Sequence, residues 1–144
     1  YAHAYNGVSS DILYSRWYCF AEYDDAHNTV CFSFIDTGAG IPSTVRKHGL
    51  EHIDFFNLTG DGPYVLSALK GELRSKTKEP YRGKGLPKIF GYCQSGLIQN
   101  MRIITNKGDV EIFDVVSTSE ELTSSLKGAL FYWRIDLSNL GGRF

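Results

Sequence analysis

The segment DTGAGIP, residues 36–42, constrains the fold most because of what precedes it. It follows directly on an apolar run, residues 30–35, which is typical of a buried β-strand. The pattern therefore predicts a strand that delivers one carboxylate, Asp36, and two glycines into a loop. Gly38 and Gly40 have no Cβ atom, so a ligand can approach their backbone closely. We expect a binding or catalytic loop at this strand end.

Length and charge limit the classes of protein that can carry such a loop. The 144 residues suffice for one core but not for two ordinary domains, so residues 1–144 are predicted to form a single domain. Lys plus Arg number 15 and Asp plus Glu number 16, a balance that gives no indication of a nucleic-acid partner. No apolar stretch approaches the length of a membrane span, and no signal-peptide pattern opens the chain.

The three cysteines, Cys19, Cys31 and Cys93, are widely spaced and odd in number. Each falls in an apolar strand-like or helical pattern, which predicts buried, reduced thiols rather than a zinc site or a disulfide framework. Reduced thiols are typical of a cytoplasmic protein.

Apolar and alternating patterns predict five strands. The first two are expected to form an antiparallel hairpin whose second strand is covered on both faces. The third and fourth are expected to form a hairpin around residues 106–109, and the last strand alternates apolar and polar residues. The predicted strands are residues 13–23, 29–35, 101–105, 110–116 and 131–137.

Helical periodicity predicts three helices between these strands. Ser43 is expected to cap a short helix that runs through His52. A second helix covers residues 63–73, with Val65, Leu66, Leu69 and Leu73 on one face, and a third begins near Leu86 and ends at Gly96. The polar residues 74–80 are interpreted as a mobile loop, so residues 43–82 form a candidate lid. The elements together predict an α/β (α+β) sandwich with a mixed, mainly antiparallel sheet and helices on one face.

Short motifs leave several chemistries open for the first loop and its surroundings. Asp36-Thr37-Gly38 is the triplet of aspartic proteases, but only one copy occurs, so a homodimer would have to supply the second carboxylate. Residues 48–52 fit the H-x-x-E-H pattern of inverted zinc peptidases, with His48 and His52 as ligands and no third ligand to nominate. A dinucleotide fingerprint lacks its third glycine, and Gly83-Lys84-Gly85 lacks the Ser or Thr of a Walker A loop.

Three segments taken in order resemble the glycine boxes of the GHKL ATPase superfamily, which includes gyrase, heat-shock chaperone, mismatch-repair and histidine-kinase ATP-binding domains. They are residues 36–42, residues 82–86 at the start of a helix, and residues 127–131 leading into a strand. The resemblance covers most of the chain and implies the Bergerat-type ATP-binding fold. Residues 74–77 also resemble the lid of bacterial signalling members outside the histidine-kinase branch.

The resemblance implies a role for each segment in binding ATP. Asp36 would accept a hydrogen bond from the adenine amino group, and Gly38, Gly40 and Ile41 would form the adjacent floor. The second segment would hold the phosphates at a helix N-terminus, where the dipole favours anions. The other residues implied to bind the nucleotide are Ser75, Thr77, Arg82, Gly83, Lys84, Gly85, Leu86 and Gly128.

The family's Mg²⁺ ligand and general base lie on a helix upstream of the first box. Residues 1–6 resemble the end of that helix, with His3 at the motif histidine. In this alignment the Mg²⁺-binding asparagine and the general base would fall before Tyr1, which suggests an N-terminally truncated fragment. The resemblance implies a bacterial, cytoplasmic signalling protein that uses ATP and Mg²⁺ as an ATPase or a protein kinase acting on a partner protein. The alternative is a non-catalytic, nucleotide-gated interaction module.

Overall fold

The structure is a computed structural model that describes residues 16–47, 59–72, 84–114 and 116–140. Within these ranges the chain forms a mixed α+β domain around a four-stranded sheet with the strand order β1-β2-β4-β3. The elements in chain order are β1 (Trp17–Asp24), β2 (Thr29–Asp36), α1 (Ile41–Lys47), α2 (Asp61–Leu69), α3 (Gly85–Gln94), β3 (Gln99–Phe113), β4 (Val116–Asp136) and a 3-10 turn (Leu137–Leu140).

The first predicted hairpin is confirmed. Strands β1 and β2 pair antiparallel over their whole length, from Trp17 opposite Asp36 to Asp24 opposite Thr29. The carboxylate of Asp24 closes the turn by accepting a hydrogen bond from the backbone N–H of His27 at 3.3 Å. Asn28 adopts the left-handed region with φ of 48°, which asparagine tolerates better than most residues. This hairpin brings β2 to its end at Asp36.

The second predicted hairpin is wrong. Strand β3 continues past residues 106–109 to Phe113, and the chain reverses after it, near Asp114. Asn106 and Gly108 lie at register shifts between β3 and β4, where β4 carries the extra residues, so this part of the pairing is a bulge and not a turn. Every pairing in the described sheet is antiparallel, so the parallel part of the predicted mixed sheet is also not found there.

The helices pack on one face of β3. Val65 and Leu69 of α2 are fully buried, which confirms the predicted apolar face of this helix. The buried positions of β3 change from odd-numbered to even-numbered residues across this bulge, at Asn106, which has φ of 52°. The core cluster therefore takes odd-numbered residues of β3 before the bulge and even-numbered residues after it. Its members are Ile41, Val65, Ala68, Leu69, Leu86, Cys93, Met101, Ile103, Val110 and Ile112.

Strands β1 and β2 are less covered than predicted. The described helices contact β3 and β4, and β1 lies at the opposite edge of the sheet. Residues 17–23 are therefore exposed, and Ile35 of β2 is 37% exposed, so the prediction that β2 is covered on both faces is wrong. The same geometry corrects the prediction for the thiols, because Cys19 is exposed, Cys31 is half-buried and Cys93 alone is buried.

The region predicted as a lid contains two helices. Helix α1 begins at Ile41, two residues before the predicted cap Ser43, and α2 contributes side chains to the core. The predicted lid, residues 43–82, stays a prediction in the parts that fall outside the described residues, 48–58 and 73–82. No helix in the described ranges is both long and apolar enough to cross a membrane.

Candidate functional site

Strand β2 carries Asp36 to the start of the glycine loop and buries it. Asp36 is only 4% exposed and lies opposite Ala129 of β4. Its Oδ1 atom accepts a hydrogen bond from the backbone N–H of Gly38 at 2.8 Å. This bond fixes the carboxylate in one orientation relative to the loop.

The second carboxylate oxygen of Asp36 has no hydrogen-bond partner among the described residues. Within the described residues, Gly38 is the one donor to this side chain. A buried carboxylate with one committed oxygen and one open oxygen can accept a hydrogen bond from a donor group that enters the site.

Thr37 ties the loop to the start of β1. Its Oγ1 accepts a hydrogen bond from the backbone N–H of Arg16 at 3.0 Å, and its own N–H donates to the carbonyl oxygen of Arg16 at 2.9 Å. The hydroxyl of Thr37 is therefore used in the fold. Of the triplet Asp36-Thr37-Gly38, the side chain that presents an open polar atom is that of Asp36.

Gly40 and Ile41 turn the loop into α1. Gly40 has φ of 84°, a conformation that favours glycine, and its carbonyl oxygen accepts hydrogen bonds from the N–H and the hydroxyl of Thr44. Ile41 is fully buried in the core cluster. Its side chain anchors the loop in the core and is not accessible to a ligand.

The predicted residue Gly128 lies against the backbone of Asp36. A Cβ atom at Gly128 would overlap the carbonyl oxygen of Asp36, and its φ of 106° also favours glycine. The structure thus joins the first and third glycine segments at the end of the sheet. The contact is between backbone atoms of the two segments, and Gly128 has no side chain to present to the site.

The second glycine segment opens α3. Lys84 and Gly85 are exposed, whereas Leu86 is buried in the same core cluster as Ile41. The N-terminus of α3 has no side-chain cap and no acidic residue in its first turn, and a Cβ atom at Gly85 would meet nothing within 4 Å. The N–H groups of a helix start are left without helical partners, and here they face open space beside a lysine.

The N-terminus of α2 differs from that of α3 in this respect. Its first residue, Asp61, is acidic, and the N–H of Asp61 donates to Oε2 of Glu121 at 2.8 Å. Two carboxylates therefore already occupy the positive end of α2. Of these two helices, only α3 has no acidic residue in its first turn.

Several predicted residues fall outside the described part of the chain. These are Ser75, Thr77, Arg82 and Gly83 of the nucleotide set, His48 and His52 of the zinc pattern, and residues 1–6 of the upstream motif. In the ranges that are described, no group of three or more His, Cys, Asp or Glu side chains could hold a metal ion. Burial raises the pKa of the Cys93 thiol to about 11, so this thiol is protonated at neutral pH and is not a nucleophile.

Sequence reasoning missed two residues that contact the loop, Thr105 and Asn106. The sequence pattern predicts that Thr105 ends a strand and that Asn106 begins a turn, because Asn followed by Lys-Gly-Asp is typical of a hairpin. In the structure, Thr105 is fully buried and hydrogen-bonded to Ile41, and Asn106 is hydrogen-bonded to Ala39 and Ser43. A polar residue at an inward position of β3 was the available signal.

Comparison with known proteins gives this chain no family. No protein-family model matches the sequence, and no curated protein matches it significantly.

Proposed function

We propose that this chain is the ATP-binding domain of a bacterial regulatory or signalling protein of the GHKL type. The observation that carries the proposal is the carboxylate of Asp36 at the end of β2. It is buried, one oxygen is held by the N–H of Gly38, and the other has no donor among the described residues, so an entering donor group can bind it. An amino group is such a donor, and the adenine base presents one beside ring atoms that can pack on the loop backbone.

The start of α3 supports a phosphate-binding role on the same domain. Its backbone N–H groups are uncapped, Lys84 adds a positive charge, and Gly85 leaves room for a ligand. Both glycine segments are anchored in one core cluster, through Ile41 and Leu86. We infer that Asp36 selects the base and that α3 holds the phosphates. The remaining expected contacts, from Ser75, Thr77, Arg82 and Gly83, stay part of the proposal.

Mg²⁺ would accompany ATP in the intact protein and would supply positive charge to the phosphates. The roles given to Asp36 and α3 are argued from their own hydrogen-bonding groups. The site is proposed to be cytoplasmic, where ATP and reduced thiols are found together.

Two uses of the bound nucleotide follow from this site. The first is hydrolysis, or transfer of the γ-phosphate to a partner protein. The second is a nucleotide-gated interaction module, in which bound ATP shifts the conformation that a partner recognises. Phosphate release by the full-length protein under single-turnover conditions would support the enzyme. Tight binding of ATP with no phosphate release would support the module.

The proposal is tested by replacing Asp36 with Asn. Asparagine keeps an oxygen for the N–H of Gly38 but puts an NH₂ group in place of the open oxygen, so it meets the adenine amino group with a second donor. ATP affinity in calorimetry should fall by about 10- to 150-fold, which corresponds to about 1.4–3 kcal/mol. Asp114→Asn makes the same chemical change at an exposed turn and should leave the affinity unchanged.

Wild-type affinity should also be higher for ATP than for GTP, since guanine carries a carbonyl oxygen where adenine carries the amino group. If Asp36→Asn binds ATP as tightly as the wild type while both proteins stay folded by circular dichroism, the assignment of Asp36 to adenine is wrong.

A further inference from the structure

Two residues of β3 at the bulge, Thr105 and Asn106, contact the glycine loop and have no part in the proposed nucleotide contacts. Pairing between β3 and β4 shifts register on both sides of Asn106, which has φ of 52°. A bulge re-aims the side chains next to it. Here it directs two consecutive polar side chains, those of Thr105 and Asn106, to the loop after β2.

Thr105 joins three segments through one hydroxyl group. Its Oγ1 accepts a hydrogen bond from the N–H of Ile41 at 3.0 Å and donates one to the carbonyl oxygen of Gly128 at 2.7 Å. A hydroxyl has a single proton, so each bond has a fixed direction. Since Gly128 packs on the backbone of Asp36, this hydroxyl connects the start and the end of the loop.

Asn106 holds the loop on both sides of Gly40. Its Nδ2 donates to the carbonyl oxygen of Ala39 at 3.1 Å, and its Oδ1 accepts from the hydroxyl of Ser43 at 3.2 Å. The N–H of Ser43 also donates to Oδ1, at 3.4 Å. One amide side chain therefore satisfies both an acceptor before the turn and donors after it.

Gly40 fits against both side chains so closely that no other residue has room there. A Cβ atom at Gly40 would lie 2.5 Å from Oδ1 of Asn106 and 2.7 Å from Oγ1 of Thr105. The second glycine of the DTGAGIP segment is thus required by the contact with β3 as well as by its positive φ. The loop lies directly on the bulge.

The bulge is held in place from its other side by α2. The N–H of Lys107 donates to Oδ2 of Asp61 at 2.9 Å, and a Cβ atom at Gly108 would lie 2.8 Å from the backbone nitrogen of Gly62. The backbone N–H of Asp61 in turn donates a hydrogen bond to the carboxylate of Glu121 of β4. Because the bulge is fixed to a helix that belongs to the core, it can serve as a rigid support for the loop.

We propose that Thr105 and Asn106 are positioning residues that hold the loop after β2 in its ligand-binding conformation. They touch the loop backbone, and they act on a ligand through Gly38, Gly40 and the carboxylate of Asp36. Without them, a nucleotide would have to order the loop on binding, which lowers affinity. The effect on nucleotide affinity rests on the proposed function; the effect on the loop does not.

The test combines amide hydrogen exchange with ADP titration calorimetry on wild type, Thr105→Val and Thr105→Ser. Valine keeps the shape but leaves the N–H of Ile41 without an acceptor, so exchange at Ile41 and Ser43 should rise about tenfold or more, while exchange at Ile103 stays unchanged. The dissociation constant for ADP should rise about tenfold. Serine retains the hydroxyl, so Thr105→Ser should restore both quantities to within about threefold of wild type.

Asn106→Asp is the second variant, because it keeps Oδ1 and the shape of the side chain and replaces the donor to Ala39 with a negatively charged acceptor. It should raise exchange at the loop amides while Thr105 is intact, and it serves in place of Thr105→Val if that variant does not fold. Loop exchange at the wild-type rate in both variants would overturn the proposal. Faster loop exchange together with unchanged ADP affinity would show that Thr105 and Asn106 position the loop without acting on the ligand. If the wild type does not bind ADP, the proposed function fails, and the exchange measurements alone decide whether these residues position the loop.

Discussion

Gly128 of β4 lies so close to Asp36 of β2 that a Cβ atom on Gly128 would overlap the carbonyl oxygen of Asp36. The contact lies where the two strands pair, one residue before Ala129 comes opposite Asp36. It brings the third glycine segment of the sequence onto the first and sets the position of the buried carboxylate.

Gly128→Ala should therefore be strongly destabilising. The substitution adds a clash with backbone and forces alanine to a φ of 106°, so the loss of unfolding free energy should exceed about 2 kcal/mol. Urea denaturation checks this. Gly91→Ala is the matched control, because Gly91 lies within α3 and a Cβ atom there meets nothing within 4 Å. The control should gain about 0.5–1 kcal/mol from helix propensity.

A substitution at Gly85 can distinguish binding of the phosphates from binding of the base in the proposed site. Gly85→Leu should leave the melting temperature nearly unchanged, since the position faces open space. A bulky side chain at the start of α3 should obstruct the phosphates, so ATP affinity should fall about tenfold or more while adenosine affinity changes little. Calorimetry with both ligands measures the difference. Equal weakening of ATP and adenosine would show that α3 does not bind the phosphates.

The three cysteines should differ in reactivity. Cys19 is exposed on the edge strand, whereas Cys93 is fully buried and burial raises its pKa to about 11. At pH 8, N-ethylmaleimide should label Cys19 first and Cys93 only after the addition of denaturant. Mass spectrometry of digested samples over time gives the order. Early labelling of Cys93 in the native protein would mean that the core around α3 opens readily.

The pKa of Cys93 also predicts how stability changes at alkaline pH. The pKa of this thiol in the folded state is raised above its ordinary value of 9.0, so burial of the neutral thiol favours folding below that pH. The contribution is lost as pH rises through the folded value, about 11. Between pH 9 and pH 11 the stability of wild type should fall more than that of Cys93→Ala in parallel urea titrations. Identical pH profiles would contradict the raised pKa.

The carboxyl group of Asp136 should give the opposite change, a loss of folding stability as the pH falls. Hydrogen bonds from the hydroxyl and the N–H of Ser138 lower the pKa of this carboxyl below its usual value. A depressed pKa stabilises the fold above the unfolded-state value and loses that effect as pH falls through the folded-state value. The stability difference between wild type and Asp136→Asn should therefore be larger at pH 7 than at pH 3. A difference that does not change with pH would show that the charge of Asp136 contributes nothing.

Local patterns in the sequence determined the elements that flank the candidate site. The apolar run before Asp36 predicts β2, the turn at Asp24 predicts its pairing with β1, and the spacing of Leu86 and Cys93 predicts α3 with its end at Gly96. These features depend on neighbours a few residues away, through alternation, helical period and turn chemistry. The loop with its carboxylate could be read from the same local patterns.

Tertiary structure decided what supports that loop. The residues around Asn106 carry the chemistry of a hairpin turn, but β4 pairs with both ends of the segment and makes it a bulge within one long strand. Thr105 and Asn106 lie more than sixty positions from the loop that they contact, so no local pattern could pair them with Ile41 and Ser43. Burial of β1 and β2 likewise depends on where the helices pack. By itself, the sequence determined the carboxylate and the glycines; the sheet decided how they are held, because hydrogen bonds between distant strands fix what local propensity leaves open.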